Sequence, residues 1–280
     1  MQHAIESPAG VEDAVEDRRP TAGNQETGVG PHENPLSKYL EIGFQAIAGW
    51  LHPPAMQATL FLADLHAAAF APGPVCEIGV WEARYLTLLS FLPATPQRVV
   101  GVDPFIHGGN REAQLQRVRA NIEAYARRPD LVTLIERDSR QVSADDLLQA
   151  SGGPCQFVSV DGDHTLDGAL GDLRLAEQVL AEGGIVSVDD ISNMTCPGVV
   201  EAVVRYGQRA DATLAPFLLV ANKLFMTQRH HCEGYREAIL AGARRGDAGE
   251  WGLKTAAFRE RMQAIGVPVR LVGEDLLVCP

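Results

Sequence analysis

No apolar run in the 280-residue chain approaches the roughly 20 residues that a membrane-spanning helix needs. Basic runs are missing as well. The net charge is −12, and the densest basic patch, Arg244-Arg245 with Arg259 and Arg261, is sparse and interleaved with acids. A nucleic-acid-binding face is therefore not expected. Cysteine is scarce and scattered. Cys76, Cys155, Cys196, Cys232 and Cys279 show no metal-ligand spacing, and Cys76 and Cys155 fall in or beside expected strands, which reads as buried free thiols. The acidic N-terminus carries no apolar signal core, so a cytoplasmic location is the expectation. Glycine is short in one place that matters. The turn after the first expected strand has only Gly79 where a dinucleotide site would show G-x-G-x-x-G, which weakens an NAD(P) oxidoreductase reading.

What is present is organised around Phe157 to Asp190. The apolar, β-favouring run Phe157-Val158-Ser159-Val160 stops on Asp161-Gly162-Asp163-His164. Leu166, Leu170, Leu173, Leu175, Val179 and Leu180 then mark an amphipathic helix, with Gly183-Gly184 expected as its C-cap. A second buried-type strand, Ile185 to Val188, ends on Asp189-Asp190. Strand, helix and strand at this spacing predict a βαβ unit with parallel strands and a right-handed crossover. Ligands of open α/β sheets sit at the carboxyl ends of the strands, so both acidic clusters are expected to face one crevice.

The remaining chain extends the same pattern. Residues 1–34 are rich in Gly, Pro, Glu and Asp without periodicity and read as a disordered leader. Two helical segments follow within residues 35–72, interrupted at Pro53-Pro54 and expected to pack over the sheet or to mediate a homo-oligomer. Residues 73–280 read as the main domain with a C-terminal extension. Strands are expected at Val75 to Val80, Arg98 to Val102 and Leu131 to Glu136, and an antiparallel pair at Thr213 to Ala221 and Lys223 to Thr227. Helices near Cys232 to Arg245 and Trp251 to Ile265, then a terminal hairpin, complete it. The fold class is α/β: a doubly wound, Rossmann-like sheet, mostly parallel with an antiparallel edge pair.

Three further strand ends carry polar groups. Glu77-Ile78-Gly79 closes the first strand, Asp103 the second, and Asp138-Ser139 follows the third. Each alone is as easily a tight turn or a helix cap; acids at three successive strand ends, in order, suggest a cofactor crevice. Asn222-Lys223 reads as a turn and His230-His231 as a helix start.

The segments EIGVWEA, GVDPF, DGDH, GGIVSVDD and PFLLVANKLF together resemble class I S-adenosylmethionine-dependent O-methyltransferases, in particular the metal-dependent macrocin and mycinamicin sugar O-methyltransferase type. The resemblance runs from about Val75 to Thr227. It implies that Glu77 and Gly79 line the methionine end of the cofactor, that Asp103 holds the ribose, and that Asp138 and Ser139 lie near the adenine. It also implies that Asp161, Asp189 and Asp190 hold Mg²⁺ and that His164, or else Asp161, is the base. The implied acceptor is a hydroxyl of a glycosylated small molecule. A catechol-type acceptor and a non-catalytic scaffold are the alternatives; the latter is favoured by Ala83 and Tyr85, which stand where the family has a glycine and a small residue. Three carboxylates with no converging Cys/His set form a hard oxygen site suited to Mg²⁺ rather than Zn²⁺.

Overall fold

A strand covered on both faces needs apolar residues at nearly every position, and the central strands have them. In the computed structural model, which describes residues 34–93, 95–107, 109–245 and 269–279, β1 (Val75–Ile78), β2 (Val99–Val102) and β4 (Cys155–Val160) are buried along their whole length. With β3 (Val132–Ile135), β5 (Leu180–Val188), β6 (Leu214–Val220) and β7 (Lys223–Gln228) they build one sheet. Two short strands, β8 (Arg270–Leu271) and β9 (Glu274–Asp275), pair with each other, and β10 (Leu277–Cys279) joins the main sheet. Its order is β10-β6-β7-β5-β4-β1-β2-β3. Pairings are parallel except β5–β7 and β6–β7. The expected fold class and antiparallel pair are borne out.

The helices are α1 (Pro35–Lys38), α2 (Phe44–Ala46), α3 (Pro53–Ala69), α4 (Arg84–Leu89), α5 (Arg111–Tyr125), α6 (Ala144–Ser151), α7 (Leu166–Val179), α8 (Pro197–Gly207) and α9 (Cys232–Arg245). A π-helical turn, Tyr39–Gly43, joins α1 to α2. Pro53 and Pro54 open α3, where a missing N–H leaves no helical bond unmade. Tyr39, Phe44, Ile47 and Leu62 share a core with Val75, Phe157, Phe217 and Phe225 on one face of the sheet. Ile78, Val158, Leu173, Val203 and Tyr206 fill the other. Among the described residues, no helix is long and apolar enough to cross a membrane.

Two local expectations need correction. Gly183-Gly184 does not cap the helix, because α7 ends at Val179 and the pair lies inside β5. Gly183 has φ +68°, and a Cβ there would stand 2.2 Å from the Phe70 ring, so the glycine serves the packing of α3's C-terminal neighbour. The terminal hairpin is real only as the β8–β9 ribbon. Leu277–Cys279 runs instead parallel to β6, covering the exposed backbone of that edge. The leader and the helix expected at Trp251 to Ile265 lie outside the described residues, apart from Asn34, which caps α1.

Candidate active site

The sheet order reverses between β1 and β4, and both acidic clusters open onto that switch point. Gly79 has φ +89°, and a Cβ on it would lie 1.8 Å from the Asp161 carbonyl oxygen. Only glycine lets the ends of β1 and β4 approach this closely. The sequence reading gave the same glycine to ligand approach; what it meets here is the neighbouring strand.

Asp103 is buried, and its carboxylate organises the turn above β1. Its Oδ2 accepts from the backbone N–H of Val80 at 2.9 Å and of Trp81 at 3.0 Å, and Oδ1 accepts from Phe105 at 2.5 Å. Ala83, at the N-terminus of α4, takes the left-handed φ of +69° that a glycine would adopt. Glu77 is buried with Oε2 lacking a hydrogen-bond partner. Burial, then the negative charge of Asp161, pushes its carboxyl well above the ordinary range.

On the β5 side the two aspartates part company. Asp189 turns inward: its Oδ2 lies 2.9 Å from Lys223 Nζ and its Oδ1 accepts from the Asp190 N–H at 2.9 Å. Burial would raise its pKa, but the Lys223 ammonium overcomes this and holds the carboxyl below the usual range. Asp190, at φ +58°, turns outward and accepts from Asn193 Nδ2 at 3.1 Å. Its Oδ2 lies 3.4 Å from His164 Nε2, and Asp161 Oδ1 lies 3.4 Å from the same nitrogen. Asp161 is pushed up by burial and by the Asp189 charge, whereas His164 is raised by its hydrogen bond to Asp161. The imidazole is thus held between two carboxylates, one from each strand of the βαβ unit.

Lys223 is fully buried at the start of β7, and its ammonium sits 4.2 Å from the centroid of the Tyr85 ring. Tyr85 Oη shares a 2.8 Å hydrogen bond with Thr59 Oγ1 of α3. Thr59, Tyr85, Lys223 and Asp189 form a continuous buried path from the N-terminal helices to the acidic cluster.

A family model described as "Methyltransferase domain" matches residues 76–191. Residues 76–191 are thus similar to methyltransferase domains. No curated protein matches the chain. Among solved structures, an O-methyltransferase from Bacillus cereus in complex with SAH is 16% identical, covering 70% of this chain and 90% of that one with TM-score 0.50. A Klebsiella pneumoniae protein is 16% identical, covering 71% and 90%, with TM-score 0.52. CalS11, a TDP-rhamnose 3'-O-methyltransferase of calicheamicin biosynthesis, is 21% identical, covering 62% and 77%, with TM-score 0.47. The domain match and the shared fold bear out the expectation of a methyltransferase enzyme.

The sheet gathers Glu77, Gly79, Asp103, Asp161, His164, Asp189 and Asp190 along the adjacent strand ends of β1, β2, β4 and β5. Asp138 and Ser139 lie in the loop beyond β3, where Asp138 is paired with Arg140 at 2.5 Å and accepts from the Arg140 N–H at 3.0 Å. Two participants were missed in the sequence. Lys223 was read as part of a turn; its position at a strand end facing the other acids was the available signal. Cys196 lies with Sγ 3.4 Å from His164 Nδ1 and 3.7 Å from Asp190 Oδ2, so a Cys/His pair does converge here, contrary to the sequence reading. His164, Asp190 and Cys196 form a compact candidate cation set. Asn110 caps α5 by accepting from the Ala113 N–H at 3.0 Å.

Proposed function

We propose that the chain transfers the methyl group of S-adenosylmethionine to a hydroxyl of a glycosylated small molecule, with a divalent cation such as Mg²⁺ at the strand ends of β4 and β5. The observation that carries this reading is the convergence of Asp161 and Asp190 on His164 Nε2 at 3.4 Å each. Asp161 and Asp190 would supply the hard oxygen donors that Mg²⁺ takes, while His164 and Cys196 beside Asp190 add softer ones. Two carboxylates from different strands reach the same imidazole nitrogen, while both Asp189 oxygens are engaged by Lys223 and the Asp190 N–H. Such a cation, when bound, lowers the pKa of a hydroxyl and orients its oxygen.

The chain's own residues supply the rest. Methyl transfer from a sulfonium needs in-line positioning more than acid catalysis, because the leaving group departs neutral. The unpartnered Glu77 Oε2 is a buried acceptor available to the cofactor's ammonium. Asp103 has both oxygens engaged by backbone amides. It contributes to ribose through its remaining lone pairs and by shaping the Val80–Trp81 turn. Asp138 and Ser139 are assigned to the adenine end. His164 is 41% exposed on its side chain and stands at the mouth, where its imidazole can take the acceptor's proton, with Asp161 as the alternative base. Trp50 and Met194 are exposed apolar side chains, and Trp50 lies against Trp81 of the β1 turn at 5.8 Å between ring centroids. They offer an apolar rim to the non-sugar part of an acceptor. The sugar acceptor itself rests on the sequence resemblance.

Calorimetric titration of S-adenosylmethionine, with Mg²⁺ and then with a chelator, tests the reading. Binding in at least one condition is expected; absence of binding in both sinks it. Asp190→Asn is then expected to weaken Mg²⁺ binding without loss of fold, and unchanged Mg²⁺ affinity removes the cation from the site.

A further inference from the structure

We propose that Glu182, His230 and His231 form a second metal site, for Zn²⁺ or a similar first-row transition-metal ion, at the end of the sheet opposite the acidic cluster. Glu182 lies near the start of β5, seven residues before Asp189. At about 3.3 Å per residue the two are roughly 20 Å apart, so the sites are independent.

The three side chains converge on one point. Nε2 of His230 and Nε2 of His231 lie 2.9 Å and 2.7 Å from the same oxygen, Oε1 of Glu182. Consecutive side chains on a strand point to opposite faces. Here the short 3₁₀ turn Arg229–His231 brings the two imidazoles together instead, with ring centroids 4.1 Å apart. All three candidate ligand atoms lie within 4.8 Å of one another.

The backbone on either side is clamped in register, so the convergence does not depend on the three exposed groups alone. Gln228 Nε2 donates to the Ala181 carbonyl at 2.8 Å. Tyr235 Oη donates to the Gly183 carbonyl at 2.7 Å, and Thr227 Oγ1 to the Gly184 carbonyl at 2.7 Å. The residues flanking Glu182 are thus tied to residues flanking the histidine pair. His231 is held further by the Phe70 ring, which meets it edge-on at 5.1 Å. Two of the three ligands therefore have fixed backbones, and one ring is pre-oriented, which is what a metal site requires of its scaffold.

Two imidazole nitrogens and one carboxylate oxygen are a borderline donor set. It suits Zn²⁺, with a fourth position left for water, and does not suit Mg²⁺ or Ca²⁺, which take all-oxygen shells. Metal–ligand bonds near 2.1 Å in tetrahedral geometry put ligand atoms about 3.4 Å apart. The present contacts need to open by only about half an ångström, and the exposed ends of Glu182 and His230 can give that much. Glu182 is held ionised, with its pKa lowered by the hydrogen bonds from His230 and His231. A bound ion would staple the entry of β5 to the start of α9 and stabilise the native chain by mass action.

The test uses the full chain stripped with a chelator and titrated with Zn²⁺ against a chromophoric competitor, with Co²⁺ as a spectroscopic probe. The double variant His230→Gln/His231→Gln is compared with wild type and with Asp190→Asn, which reports any Zn²⁺ taken up at the other end. One equivalent of Zn²⁺ is expected to disappear in the histidine double variant and to persist in Asp190→Asn. Glu182→Gln is expected to lower the affinity by at least the ~10-fold that loss of an outer-shell partner costs. Zn²⁺ should raise the Tm of wild type and not that of the double variant, with S-adenosylmethionine binding unchanged between them. Equal Zn²⁺ stoichiometry and affinity in wild type and the double variant would overturn the proposal. So would a Co²⁺ spectrum that the histidine substitutions leave unaltered. If the double variant fails to fold, single His230→Gln, at the more exposed ring, carries the same comparison.

Discussion

Lys223 sets its ammonium 2.9 Å from the Asp189 carboxylate with 1% and 7% of the two side chains exposed. The pair is buried, and the ammonium also lies over the Tyr85 ring. The site is therefore an acidic cluster with a cation already built in. This cation keeps Asp189 charged while the neighbouring Asp161 and Glu77 are driven toward their neutral forms. The two aspartates of the DD pair consequently differ in kind: one is neutralised by the protein, and the other faces His164 and the solvent.

Breaking this pair from one side leaves a buried, uncompensated charge. Lys223→Met and Asp189→Asn are each expected to cost about 3–5 kcal/mol of stability. The double variant should recover much of that loss, because it leaves no orphaned ion. Urea denaturation of the four proteins forms a double-mutant cycle. Simple addition of the two losses would mean that the ion pair does not couple. For the same reason Asp190→Asn is a cleaner probe of cation binding than any change at Asp189.

Ala83 holds a left-handed backbone at φ +69° at the start of α4. A non-glycine residue there costs about 1–2 kcal/mol, against which glycine's greater freedom in the unfolded chain offsets up to about 1 kcal/mol. Ala83→Gly is expected to leave stability unchanged or raise it by up to ~1 kcal/mol, measured by chemical denaturation. A clear loss would show that the methyl group's packing outweighs the strain.

The fold and the strand-end acids were legible in the sequence because both rest on local periodicity: apolar runs of strand length, each stopped by a carboxylate. What was hidden depends on direction rather than position. Asp189 and Asp190 are adjacent and look alike in sequence, yet the left-handed φ at Asp190 sends one inward and the other outward. Lys223 follows a turn, where lysine is ordinarily solvated, and nothing local marks it as buried. Cys196 lies 32 residues from His164 and reaches it only because α8 starts beside the DGDH loop. Gly183-Gly184 has the composition of a helix end, but its conformation answers to Phe70, which is more than a hundred residues away.

Gly79 is where backbone meets backbone, so its replacement cannot be absorbed by a side-chain rotation. Gly79→Ala is expected to push β1 and β4 apart at their ends, lower stability by at least ~2 kcal/mol and abolish S-adenosylmethionine binding. Gly109 is the control. It shares a positive φ of +82°, but nothing lies within 4 Å of the added methyl, so Gly109→Ala should cost only the backbone strain. Equal stabilities for the two variants would remove the close approach as the reason for Gly79.

His66 gives the chain a defined sensitivity to acid. It is buried in α3 against Phe70, and neither ring nitrogen has a partner among the described residues. Burial lowers its pKa from 6.5 to about 4. The unfolded chain therefore takes up this proton near pH 6.5, whereas the folded chain resists until about pH 4. Between those values the unfolded state holds more protons, so stability is complete above pH 6.5 and falls as the pH drops toward 4. At about 1.4 kcal/mol per unit, the loss by pH 5 is roughly 2 kcal/mol. His66→Phe removes the titrating group while keeping an aromatic ring in place. Carboxylates that titrate in both proteins cancel in the difference. Denaturation at pH 7 and pH 5 should then show wild type losing about 2 kcal/mol more than the variant. Parallel losses would mean that His66 finds a proton partner in the folded chain.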